Sequence, residues 1–158
     1  MASTIEKYLE DFQVGQRYSS GSFVVRADDI KRFAAEFDPQ PFHLDDEIAS
    51  TSLFRGLAAS GWHTAAITMR LFVQSDFKPV GGLVGVNFEG RWPRPLRPND
   101  EVHLEVEVLE LRRSKSNPAR GLVTVRATTL NQENEPVQIA TFIVTVPSRL
   151  ESIRNSPV

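Results

Sequence analysis

No cysteine occurs anywhere in this chain of 158 residues. Disulfides, thiolate nucleophiles and Cys-ligated zinc or iron–sulfur centres are thereby excluded, and a reducing cytosol is compatible with the composition. Histidine is scarce too: His43, His63 and His103 show neither HxH nor HExxH spacing, so no metal is expected. No apolar run approaches the ~20 residues that span a bilayer, and Met1 to Asp11 is too polar and acidic for a signal peptide. Neither GxxxxGK(S/T) nor GxGxxG is present, which removes the ordinary nucleotide loops, and no G-x-S-x-G marks a serine nucleophile. A formal net charge of -2 offers nothing global to nucleic acid or to an anionic membrane. The expectation left is a cytoplasmic protein with neither as a partner.

What is present is ordinary for one globular domain, with 41% hydrophobic and 24% charged residues. Residues 1–10 read as a leader that Tyr8, Leu9 and Phe12 can pack down. Residues 11–148 form the domain, and 149–158 a tail expected to fray after Leu150. Phe23-Val24-Val25 reads as a brief strand. Asp28 is placed to cap a helix whose buried face carries Ile30, Phe33, Ala34 and Phe37 at three- and four-residue intervals. Pro39 and Pro41 end it, because proline fixes its own φ and pushes the residue before it towards extended geometry. Asp45 to Ser50 makes a further short helical piece. The stretch from Leu57 to Phe72 is apolar nearly all round, as a buried helix is, and Ser60-Gly61 stands near its start.

The second half changes period. Leu83 to Phe88 reads as a strand, and Val102, Leu104, Val106 and Val108 alternate with His103, Glu105 and Glu107. Gly121–Leu130 and Val137–Val146 repeat the alternation, with turn residues between. Strands in succession joined by short turns imply an antiparallel sheet. The expected class is α+β, a sheet wrapped around one long helix.

Three constellations could carry chemistry. Asp38 and His43 lie five residues apart across the double-proline turn, a spacing that serves an acid/base pair or, as readily, a helix stop followed by a solvated histidine. Ala58-Ala59-Ser60-Gly61 opens the buried helix with small residues, so a ligand carbonyl could approach exposed N–H groups, or the helix could simply pack closely on a sheet. Arg91, Arg94 and Arg97 interleave with Trp92 and three prolines, a set suited to phosphates or to a solvated edge. His63 on its apolar helix reads as a hydrogen-bonded core residue, and His103 as solvated.

Taken together, Asp38-Pro39-Gln40-Pro41-Phe42-His43, the Ala59-Ser60-Gly61 turn and the stretch FEGRWPRPLRPNDEV resemble the MaoC-like, R-specific enoyl-CoA hydratase/dehydratase family of hot-dog proteins. The likeness runs over about residues 10–147. The family motif is Asp-x-Asn-Pro-x-His; Gln40 here replaces its asparagine with an amide one methylene longer, which could alter the loop or the substrate range. The resemblance implies a single hot-dog domain, at least a homodimer, and syn hydration of a trans-2-enoyl thioester. It assigns Asp38 and His43 to one water and the Gly61 N–H to the thioester oxygen, with Gln40, Ala59 and Ser60 around the substrate. Arg91 and Arg94 become candidates for the phosphates of coenzyme A, which is part of the substrate; no separate cofactor is implied. A hot-dog thioesterase would share fold and glycine but release free thiol, and a non-catalytic acyl-binding module would hold ligand without turnover.

Overall fold

Alternation builds the sheet. In the computed structural model, which describes residues 5–150, strands run β1 (Arg17–Val24), β2 (Val84–Arg91), β3 (Glu101–Arg113), β4 (Arg120–Leu130) and β5 (Pro136–Pro147). They form one antiparallel sheet in the order β1-β3-β4-β5-β2. Because side chains on a strand point alternately to opposite faces, one face collects Val102, Leu104, Val106 and Val108 from β3, Val123, Val125 and Ala127 from β4, and Ala140, Phe142, Val144 and Val146 from β5, all buried. Against this face lies the long helix α4 (Gly61–Gln74), which buries Ile67, Leu71 and Phe72. Each such side chain contributes about 1.5–3 kcal/mol on leaving water. This is the wrapped-helix α+β architecture that the periodicity implied. Within the leader, Leu9 joins the core, while the expected fraying beyond Leu150 lies outside the described residues.

Two expectations need correction. The polar segment after Gly15 is strand β1, not merely a link to Phe23: it pairs with β3 at the sheet edge, where Tyr18 and Phe23 pack on the core but the serines between them leave little apolar alternation to read. A bulge between Ser19 and Ser22 shifts its register, and the Ser20 hydroxyl accepts the Leu104 N–H at 2.9 Å. Secondly, β2 does not neighbour β3. It pairs with β5 at the opposite edge, so residues 92–100 must cross the end of the sheet to reach β3. Pro93, Pro95 and Pro98 suit that extended crossing, and Leu96 anchors it in the core at 1% exposure.

The helices before α4 carry the site. Helix α1 (Ala27–Phe37) has Arg26 at its N-cap position with no side-chain capping bond, so Asp28 falls in the first turn, where its charge favours the positive helix end. The double-proline segment is more than a turn: Pro41 starts a one-turn helix, α2 (Pro41–Leu44), at the position where a missing N–H costs nothing. Asp45 caps α3 (Asp46–Ser50) by accepting the Ile48 N–H.

Candidate active site

The end of α1 fixes Asp38 and the single turn of α2 fixes His43. The Asp38 N–H still bonds the Ala34 carbonyl at 2.9 Å, and the His43 N–H bonds the Gln40 carbonyl at 3.0 Å, so both Cα positions are held by backbone. Their side chains converge on the start of α4. His43 Nδ1 lies 2.6 Å from the Ala58 carbonyl, which can only accept; Nδ1 therefore carries a proton, and in the neutral ring the lone pair is on Nε2. Nε2 faces Asp38 Oδ2 at 3.4 Å. That is longer than a good hydrogen bond, yet close enough for one water to touch both atoms. The two side chains are 5% and 17% exposed, so the imidazole is enclosed and only the carboxylate reaches solvent.

Asp38 is held from both sides. Gln40 Nε2 donates to Oδ1 at 2.6 Å, and the Ser60 hydroxyl donates to Oδ2 at 2.6 Å. Burial raises the carboxyl pKa, but these hydrogen bonds and the nearby His43 outweigh it and leave Asp38 below the usual aspartate range, ionised at neutral pH. The longer amide at 40 thus reaches the carboxylate itself. Ser60, wholly buried, is the N-cap of α4 and accepts the Trp62 N–H at 3.2 Å while orienting Asp38. Its role escaped the sequence because residues 38 and 60 meet only in the fold.

Gly61 is the first residue of α4, where a backbone N–H has no intrahelical partner and the helix dipole is positive. A glycine is required there by close approach: a Cβ would stand 2.8 Å from three atoms of the Trp92 ring. Around it lies a cavity of about 290 Å³, lined by His43, Phe54, Ala59, Gly61, Thr64 and the Trp92–Leu96 segment. Of the expected substrate residues, Ala59 and Arg94 line it; Arg94 stands 3.5 Å from Glu135. Gln40 and Ser60 turn to Asp38 instead, and Arg91 lies outside, beside Glu89 and Thr141. Arg97 spends its guanidinium on the carbonyls of Phe54, Gly56 and Leu57, clamping the loop that delivers Phe54 against His43. Phe54, Thr64 and Leu96 carried no sequence signal; Trp92 did, as an aromatic among prolines.

His63, on α4, behaves differently from the hydrogen-bonded core residue expected. His63 stacks on Phe33, with ring centroids 4.6 Å apart and planes within 7°, but its buried Nδ1 has no partner among the described residues. His103 sits half-buried on the outer face of β3, opposite Leu130.

Residues 11–131 match the family model of the MaoC like domain. The uncharacterized protein YdeM of Bacillus subtilis (strain 168) is 38% identical over 130 residues, 82% of this chain and 91% of that one. An (R)-specific enoyl-CoA hydratase of Rhodospirillum rubrum is 27% identical over 126 residues, 77% of this chain and 79% of its own. The crystal structure of a MaoC-like dehydratase, also from Rhodospirillum rubrum, superposes with a TM-score of 0.88 at 55% identity, covering 90% of this chain and 98% of that one. The matched segment carries the Asp38–His43 arm, the start of α4 and the crossing loop alike, and the fold is shared along nearly its whole length. The chain belongs to the MaoC-like hydratase/dehydratase family of hot-dog proteins.

Proposed function

We propose that this chain is an (R)-specific hydratase/dehydratase that interconverts trans-2-enoyl-CoA and (R)-3-hydroxyacyl-CoA. The observation that carries the reading is the 3.4 Å approach of His43 Nε2, whose ring turns Nδ1 to the Ala58 carbonyl, to the Asp38 carboxylate, beside a glycine helix start packed against the Trp92 ring. One water held by both groups loses a proton to His43 Nε2 as its oxygen bonds to C3. The electron pair of the C2–C3 double bond shifts to the thioester, where the Gly61 N–H takes up the charge building on oxygen. The imidazolium, balanced by Asp38, then returns its proton to C2 from the same face, and the elements of one water have been added. Asp38 is the poorer proton acceptor because its hydrogen bonds favour the carboxylate, so it orients the water and stabilises the imidazolium.

Coenzyme A enters only as part of the substrate; Arg94, at the cavity wall, is the better placed of the two arginines for its phosphates. A coenzyme A thioester substrate implies the cytoplasm, and no helix among the described residues is long and apolar enough to cross a membrane.

The assembly proposed is a homodimer. Strand β2 is an open edge, exposed along its whole length, and Val84, Val86 and Phe88 on it, like Trp62, Met69 and Val73 on α4, are exposed apolar side chains that a second copy would cover. Light scattering should report at least a dimer.

The test is loss of absorbance at the conjugated thioester band with enoyl-CoAs from four carbons upward. Hydration by the native chain and its loss in Asp38→Asn and His43→Ala are expected. Free thiol release without hydration would assign a thioesterase instead.

A further inference from the structure

One buried polar side chain on the inner face of the sheet is not explained by the dyad. Gln138 is wholly buried, on the face of β5 that otherwise carries Ala140, Phe142, Val144 and Val146. Its Oε1 accepts the indole N–H of Trp92 at 2.8 Å. The indole is a donor only, so the amide oxygen must face it, and Nε2 is left without a partner among the described residues. An unpaired buried amide lowers stability, and a leucine or methionine of similar volume would avoid the penalty. Stability therefore does not account for Gln138; what it secures is the position of one ring.

That ring stands at the reacting end of the cavity. Trp92 lines the cavity with His43, Gly61 and Thr64, and its indole lies where a Cβ of residue 61 would be. Trp62 meets it edge-on, with centroids 5.6 Å apart and planes at 80°. Pro93 follows at once and stiffens the strand exit. The ring is thus held at its N–H, against the backbone of Gly61 and by a second indole. The cavity it bounds, about 290 Å³, lies just below the ~300–1,000 Å³ usual for small-molecule pockets.

We propose that Trp92, anchored through Gln138, is the specificity-determining wall of the acyl cavity and confines the substrate to enoyl thioesters with short acyl chains; the proposal rests on the hydratase reading above. Trp92 bounds the space that the acyl chain fills. Gln138 touches no substrate and is a positioning residue.

The experiment measures kcat/KM for four-carbon and eight-carbon enoyl-CoAs in the native chain and in Trp92→Ala, Trp92→Phe and Gln138→Leu. The native chain should favour the short substrate by at least about tenfold, since a single methylene in an apolar pocket is worth ~10–200-fold. Trp92→Ala should cut that ratio by about tenfold or more. Gln138→Leu and Trp92→Phe, which remove the anchor from either side, should cut it less. The parallel readout needs no turnover. With Trp62→Phe in the background, Trp92 is the sole tryptophan; its fluorescence anisotropy should fall on Gln138→Leu, and quenching should show butyryl-CoA binding more tightly than octanoyl-CoA. An unchanged chain-length ratio in Trp92→Ala, or unchanged anisotropy in Gln138→Leu, overturns the proposal. If no enoyl-CoA is hydrated, the hydratase reading fails on its own, and the two saturated thioesters still decide whether Trp92 sets chain length. Should Gln138→Leu not fold, Trp92→Phe decides the role of the anchor through the ratio.

Discussion

His43 and His63 are both nearly buried, both lie at the α4 end that holds the site, and both touch a phenylalanine, yet only one is arranged for chemistry. His43 has its tautomer fixed by the Ala58 carbonyl and its free nitrogen aimed at a carboxylate. His63 has an unpartnered Nδ1 and lines a separate hollow of about 430 Å³ between α1 and α4. Burial lowers its pKa; Asp29 works against that and Arg32 with it, while Glu36 and Arg70 line the same hollow. Burial alone thus does not make a catalytic imidazole. What fits His43 for the proposed role is the commitment of one nitrogen to a backbone acceptor, which decides which atom is left to take a proton.

The comparison breaks most sharply at the dyad. Asp38→Asn or His43→Ala should lower hydration by about 10²–10⁴-fold, the usual worth of acid–base groups, with the circular dichroism spectrum unchanged. Activity surviving in either variant would remove the reason for separating the two histidines.

Gly61→Ala comes next. The methyl group cannot coexist with the Trp92 ring at 2.8 Å, so the ring or the helix start must move. A displacement near 1 Å at the N–H should cost about 100-fold in kcat. Tm should fall as well, since crowding a packed contact costs about 1–3 kcal/mol.

Ser60→Ala should act on both stability and chemistry. Losing the cap of α4 costs about 1 kcal/mol, read as a drop in Tm. Asp38 also loses one of the bonds that depress its pKa. With a depressed folded pKa, the ionised carboxylate supports the fold above the ordinary aspartate range, and that support fades as pH falls through the folded value. In Ser60→Ala that fading should move to higher pH in pH-dependent melting, and hydration should fall because Asp38 loses a bond that orients it.

The smallest effect, and one of opposite sign, is expected at the control histidine. His63→Leu should leave kcat/KM within about twofold and raise stability by up to about 1 kcal/mol, since an unpaired buried nitrogen is replaced by hydrocarbon. A lowered folded pKa means that the unfolded chain binds the proton first. The native protein therefore loses stability as pH falls through the ordinary imidazole range and below, and His63→Leu should flatten that slope in pH-dependent melting. A large loss of activity here would mean that the hollow on His63 belongs to the reaction.

Much of the fold was legible because its signals are local. The alternation of β3, β4 and β5 and the all-round apolarity of α4 place their own residues in the core without knowledge of a partner. Of strand β1 only the end, Phe23 and Val24, was legible, since its earlier residues are mostly small and polar and carry no apolar period. The break between β2 and β3 was hidden as well: Arg97-Pro98-Asn99-Asp100 reads as a turn, and nothing local says which edge a strand will join. The dyad stood in one short segment, but its meaning came from residues far along the chain. Ala58 chooses the tautomer of His43, Ser60 grips Asp38, and Trp92 makes a glycine necessary at 61.

By itself, then, the chain's order of residues determined the element types, the exclusion of thiol and nucleotide-loop chemistry, and the rigid segment that carries an acid and a base. Those depend on periodicity and on proline geometry, which act over a few residues. The tertiary structure alone decided which nitrogen of His43 is free, which way the Gln40 amide turns, and that Gln138 holds Trp92 against Gly61. Each of these is set by a partner 2 to 46 residues away whose direction depends on packing.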